Sequence, residues 1–109
     1  MNATPLALAV LVGVIGSPGV TTVEVRTFQF REKAIQIPVG TRVIWTNHDQ
    51  IEHTVTSGAP DSTDGVFNAK LAGPGTTFSF TFTKAGTYRY FCDRHHFMRG
   101  EIRVTPTGE

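Results

Sequence analysis

Apolar and polar residues alternate one by one along most of this chain, and a three- or four-residue apolar repeat is nowhere sustained. From Thr22, the side chains of Val23, Val25 and Thr27 stand against Glu24, Arg26 and Phe28. That period of two is the mark of a half-buried strand, whose successive side chains leave opposite faces of the backbone. The same pattern predicts strands over Ala34–Val39, with Ile35 and Ile37 on one face, and over Arg42–Asn47, with Val43 and Trp45 together. Gly40 marks the turn between those two. Phe78, Phe80 and Phe82 alternate with Ser79 and Thr81, so one face of that strand carries three rings. Shorter strands are expected at His53–Thr56, at Thr87–Cys92 after the Ala85-Gly86 turn, and at Glu101–Thr105 with Ile102 and Val104 inward. The run Ser57–Asp64 (SGAPDSTD) reads as a loop, since its residues are turn formers or small and polar. Short strands separated by regular turns predict an all-β Greek-key sandwich or barrel of about eight or nine strands.

One stretch breaks the alternation. Leu6–Ile15 (LALAVLVGVI) is continuously apolar and precedes Gly16-Ser17-Pro18-Gly19. It is too short to cross a membrane as a helix, which takes about 20 residues. It fits the apolar centre of a secretory signal, although Met1–Pro5 lack the Lys or Arg that normally precedes one. It equally fits a strand covered on both faces. The chain therefore divides into an apolar segment, 1–20, and a strand domain, 21–109.

Composition narrows the function. With 109 residues, 39% of them hydrophobic, there is material for one core. Ten Lys and Arg against nine Asp and Glu leave a net charge of +1, without the basic excess that nucleic-acid binding demands. The single cysteine, Cys92, excludes an internal disulfide and any multi-cysteine zinc or iron–sulfur centre.

The chemistry gathers around that cysteine. The segment Tyr88–Gly100 holds Cys92, two of the four histidines and Met98, all expected in a loop between strands. Thiolate, imidazole and thioether at Cys92, His95 and Met98 converge only if that loop folds tightly, and His53, after the turn-like Asn47-His48-Asp49-Gln50, can reach the same end of a sandwich. Taken singly, a lone Cys is usually a small buried hydrophobe, a lone Met core filler and a lone His a surface group, as expected for His48 and His96. Taken together, the four form a donor set with two imidazoles, one thiolate and one thioether. Hard cations prefer oxygen, and zinc gains little from a thioether. Copper is the metal served by both soft sulfur and imidazole, and a trigonal His₂Cys site with a weak axial Met is a blue-copper electron-transfer centre.

These motifs resemble the cupredoxin, or blue copper, family: Val39-Gly40 before Val43-x-Trp45-x-Asn47, His53-Thr54-Val55, Ala85-Gly86-Thr87-Tyr88-x-Tyr90-x-Cys92, and Cys92-x-x-His95-x-x-Met98-Arg99-Gly100. The two-residue gap between His95 and Met98 is like that of the amicyanin subfamily; plastocyanins and pseudoazurins have a longer one. The resemblance implies one copper ion held by His53, Cys92, His95 and Met98, cycling between Cu(I) and Cu(II) in a small monomeric electron shuttle that is not an enzyme. It implies a periplasmic or other extracytoplasmic setting, redox partners such as a c-type cytochrome or an electron-donating dehydrogenase, and an added strand at Leu6–Ile15. Arg94, His96 and Glu52 depart from the family, which commonly has proline there, and Thr54 replaces a frequent Asn. Phe97 and Ile51, with Leu71 as a further candidate, are expected to form an apolar rim around His95. Backbone N–H groups near Thr54 are expected to donate to the Cys92 sulfur. Arg94, Arg99 and Lys70 would attract an acidic partner, opposed by Glu52 and Asp93. The alternative is a copper carrier or storage module with the same ligands, although methionine- or histidine-rich tracts are missing. A multicopper oxidase or nitrite reductase fragment would need more histidines than His48 and His96 supply. A cysteine hydrolase would need an orienting motif that is absent.

Overall fold

Residues 19–106 are described by the structure, a computed structural model, and within them the alternating segments pair into two sheets. The strands are β1 (Val20–Arg26), β2 (Gln29–Arg31), β3 (Ala34–Pro38), β4 (Arg42–Asn47), β5 (His53–Ala59), β6 (Ser62–Leu71), β7 (Thr77–Thr81), β8 (Gly86–Cys92) and β9 (His95–Thr105). One sheet runs β2-β1-β4-β7 and the other β3-β9-β8-β5-β6. The β1/β4 and β3/β9 pairs are parallel and the rest antiparallel, because the chain crosses between sheets as a Greek key does. Among the described residues no helix is long and apolar enough to cross a membrane. The segment Leu6–Ile15 lies outside the described residues.

The inward positions are those that the alternation selects. Val23, Val25, Val43 and Trp45 come from one sheet and Val55, Tyr90, Ile102 and Val104 from the other, all buried in one cluster. Phe82 closes it just beyond β7, while Phe78 and Phe80 pack partly buried against it.

Two expectations need correction. Ser57–Asp64 is not a loop: its ends belong to β5 and β6, which pair from His53↔Leu71 to Ala59↔Ser62. Small residues are required there, since Gly58 has φ +101° and a Cβ on it would lie 2.6 Å from the Ser62 carbonyl oxygen. Turn formers thus served a bulged hairpin. Strand β2 was also unforeseen. It follows a two-residue turn, Thr27-Phe28, with φ of 49° and 58°, a conformation usually carried by Asn-Gly or Gly-Gly. Two non-glycine residues there cost about 1–2 kcal/mol each, and a contact outside the hairpin offsets that cost.

Candidate metal centre

The end of the sandwich where β1, β4 and β8 finish and β5 and β9 begin gathers the chemically active side chains. His53 opens β5, Cys92 closes β8, and His95 and Met98 stand at the start of β9. The Cys92–Met98 stretch is not the loop expected from sequence. It is a hairpin in which Cys92 opposes His95 across Asp93-Arg94. Phe91 then opposes Arg99, so His96, Phe97 and Met98 have no partner on β8. Met98, at the end of that three-residue bulge, is buried in the same core cluster as Cys92, with 2% of its surface exposed.

The Cys92 sulfur lies 3.8 Å from His53 Nδ1 and 3.6 Å from His95 Nδ1, and the three donor atoms sit within 4.8 Å of one another. Bonds of about 2.0–2.1 Å to imidazole and about 2.3 Å to thiolate, opening at roughly 110–120°, put nitrogen and sulfur roughly 3.6–3.8 Å apart. The cluster therefore fits one small transition-metal ion. His53 and Cys92 are fully buried, whereas His95 is half-buried. Burial, with repulsion from His53 and Arg94, pulls the His95 pKa below its ordinary value and favours the neutral imidazole that a metal needs. The Thr54 N–H donates to the Cys92 sulfur at 3.3 Å, as anticipated. Asp93 N–H in turn donates to Thr54 Oγ1 at 2.7 Å, which ties the hairpin turn to β5.

Two residues at the centre were missed in the sequence. Asp49 accepts from Thr27 N–H through Oδ1 at 2.8 Å and from Phe28 N–H through Oδ2 at 2.9 Å, and that Oδ2 lies 2.8 Å from His53 Nε2. A carboxylate on Nε2 fixes the tautomer that leaves Nδ1 free for metal. Burial alone would raise the Asp49 pKa, but the N–H groups of Phe28 and Thr27 and the His53 bond outweigh it and hold the carboxyl below its usual range. Each hydrogen bond to a charged group contributes about 1.5–3 kcal/mol, enough to offset the strained turn. The turn sets Phe28 edge-on to both imidazoles, 5.1 Å from His53 and 4.9 Å from His95 between ring centres. A carboxylate four residues ahead of a candidate ligand was the available signal for Asp49. Nothing in the alternation marked Phe28.

Phe28 and Phe97 pack beside His95, at 4.9 and 6.1 Å between ring centres, and Ile51 is exposed; Leu71 is fully buried in the core and is not part of that rim. Asn47 frames the approach to His53. Its Nδ2 donates to the Ile51 and Leu71 carbonyls and its Oδ1 accepts from Asp49 N–H. Glu52 and Arg94, which stand where prolines are common, face each other across the two loops at 3.7 Å. His96 packs edge-on against the buried Phe91 ring and lies 3.6 Å from Asp93. His48 is a surface group near Glu24.

Comparison with known proteins bears on the metal. The profile of copper binding proteins of the plastocyanin/azurin family matches residues 18–105. Amicyanin of Paracoccus denitrificans is 30% identical over 79% of this chain, which spans 66% of that protein's length. Amicyanin-alpha of Methylorubrum extorquens is 30% identical over 91% of this chain and 84% of its own. In three dimensions, a purple cupredoxin from Nitrosopumilus maritimus superposes with a TM-score of 0.71 at 26% identity, covering 78% of this chain and 99% of that one.

Proposed function

The chain belongs to the plastocyanin/azurin family of copper-binding proteins, and from that membership we propose that it is a blue copper electron carrier whose single ion is held by His53, Cys92, His95 and Met98. The observation that carries this reading is the meeting of one thiolate and two imidazole nitrogens at 3.6 and 3.8 Å, with His53 and Cys92 fully buried and His95 half-buried. Copper on such a set exchanges one electron between Cu(I) and Cu(II) with little rearrangement.

The protein's own groups prepare that exchange. Asp49 fixes the His53 ring, the Thr54 N–H withdraws charge from the Cys92 sulfur, and the β8–β9 hairpin holds His95 with one edge toward solvent. Hydrogen bonding and apolar shielding at that sulfur set the redox potential. The exposed side chains of Phe28, Ile51 and Phe97 offer a small apolar surface suited to brief docking. The partners are redox proteins, a c-type cytochrome or an electron-donating dehydrogenase, and the setting is periplasmic. Metal delivery is disfavoured by the burial of His53, Cys92 and Met98, because handing over an ion calls for ligands that exchange readily at the surface.

Addition of Cu(II) to the metal-free chain tests the reading. An intense band toward the red end of the visible is expected, and Cys92→Ala is expected to abolish it. Slow copper loss to a chelator with fast electron self-exchange supports the carrier; rapid loss with slow exchange supports delivery instead.

A further inference from the structure

The chain is nearly neutral, yet the outer side of the β3–β9–β8 edge gathers four cations around one carboxylate. Arg99, Glu101 and Arg103 leave the same face of β9, since Gly100, Ile102 and Val104 between them are buried. Arg89 on β8 stands opposite Glu101. Lys33, whose carbonyl accepts the Glu101 N–H at 2.8 Å, adds a cation at the edge. Glu101 is the one carboxylate among these five side chains, and it is shared, 3.7 Å from Arg89 and 3.8 Å from Arg103. Arg89 and Arg103 nonetheless remain 74% and 61% exposed. Among the described residues neither Lys33 nor Arg99 makes an ion pair.

Two grooves, about 390 and 330 Å³, are both lined by Lys33 and Arg99. The first also touches Phe28, Phe97 and Met98, and the second reaches Arg89 and Glu101. The cationic strip is thus continuous with the apolar rim at His95. Arg94 and Lys70, the other cations named from sequence, lie elsewhere: Arg94 is paired with Glu52, and Lys70 sits on β6 at the opposite edge of the sheet.

We infer that the strip formed by Lys33, Arg89, Arg99 and Arg103 is a docking surface for an acidic patch on the redox partner. This rests on the electron-carrier reading for the partner's role, but the surface itself depends only on charge placement. Like charges gathered on one face raise encounter rates with an oppositely charged partner and set its orientation, while the apolar rim supplies the close contact.

The test is an NMR titration of the full chain in its Cu(I) form with a hexaglutamate peptide at low ionic strength. The visible band of the Cu(II) form is recorded beforehand, so that failure of the copper reading registers separately. Amide shifts are expected to concentrate at Lys33, Ala34, Arg89 and Arg99–Arg103 and to weaken toward about 0.15 M salt, where the Debye length is about 8 Å. The double variant Lys33→Glu/Arg89→Glu should bind the peptide at least tenfold more weakly; Lys33→Gln/Arg89→Gln serves if charge reversal disturbs folding. Shifts centred on Arg94 or Lys70, or unchanged binding by the folded double variant, would overturn the assignment. So would inorganic phosphate reproducing the same shifts at the same affinity, which would mark a small-anion site.

Discussion

A single carboxylate, Asp49, joins the strained turn at Thr27-Phe28 to the imidazole of His53. Its removal has two consequences of different size. Loss of a carboxylate behind a metal-bound imidazole typically lowers metal affinity about 10–100-fold, so Asp49→Ala is expected to do so here, read by chelator competition. The turn is released at the same time, so Phe28 should lose its edge-on position over both rings. Acidity offers a second reading. Because the folded-state pKa of Asp49 is lowered, the stability it contributes is complete above the unfolded value of about 3.9 and is lost as pH falls through the folded value. The urea midpoint of the metal-free chain should therefore drop below about pH 4, and Asp49→Asn should make that drop shallower. The exposed pair Glu52–Arg94 is a contrasting case. Surface pairs are worth about 0–1 kcal/mol, similar to the 0.4–1 kcal/mol or so that a compatible proline gives by stiffening the unfolded chain. Arg94→Ala should accordingly move the thermal midpoint little.

At the scale of elements, the β8–β9 hairpin does most to build the centre. Its bulge brings Cys92, His95 and Met98, spaced three apart in sequence, to the same end of the sandwich. The hairpin in turn depends on Gly100, which faces Tyr90 across the ladder; a Cβ there would clash with the hydroxyl end of the Tyr90 ring. Gly100→Ala is expected to cost about 1–3 kcal/mol by overpacking, measured as a lower urea midpoint with an unchanged slope. Alternation located β1, β3, β4, β7 and β8 closely, because their inward faces hold Val, Ile, Trp, Phe or, on β8, Tyr88, Tyr90 and Cys92 at every second place. It failed at β6, where Ser62–Val66 are all exposed and so carry no apolar period, and at β2, too short for a period to show. It also shortened β9 to Glu101–Thr105, because the bulge at His96–Met98 interrupts the inward positions.

For the whole molecule, the two sheets supply a rigid frame whose buried core ends at the donor cluster, and copper should tighten that frame. A ligand bound only by the folded state stabilises it by about 4 kcal/mol at a thousandfold excess over its dissociation constant, so Cu(II) should raise the thermal midpoint, and Cys92→Ala should remove the rise. The class of fold was set by the sequence, since a period of two with one apolar face admits little but paired sheets. The donor types were also set there, because Cys92, His95 and Met98 lie close together and His53 follows a turn. Which atoms face one another was decided only in three dimensions. The Asp49 carboxylate reaches a turn more than 20 residues away, and Phe28 covers two imidazoles contributed by different strands. Lys33 joins Arg89, Arg99 and Arg103 only because β3 lies beside β9. Such contacts depend on strand order and register, which local alternation does not encode, and that is why the sequence held the chemistry of the site but not its geometry.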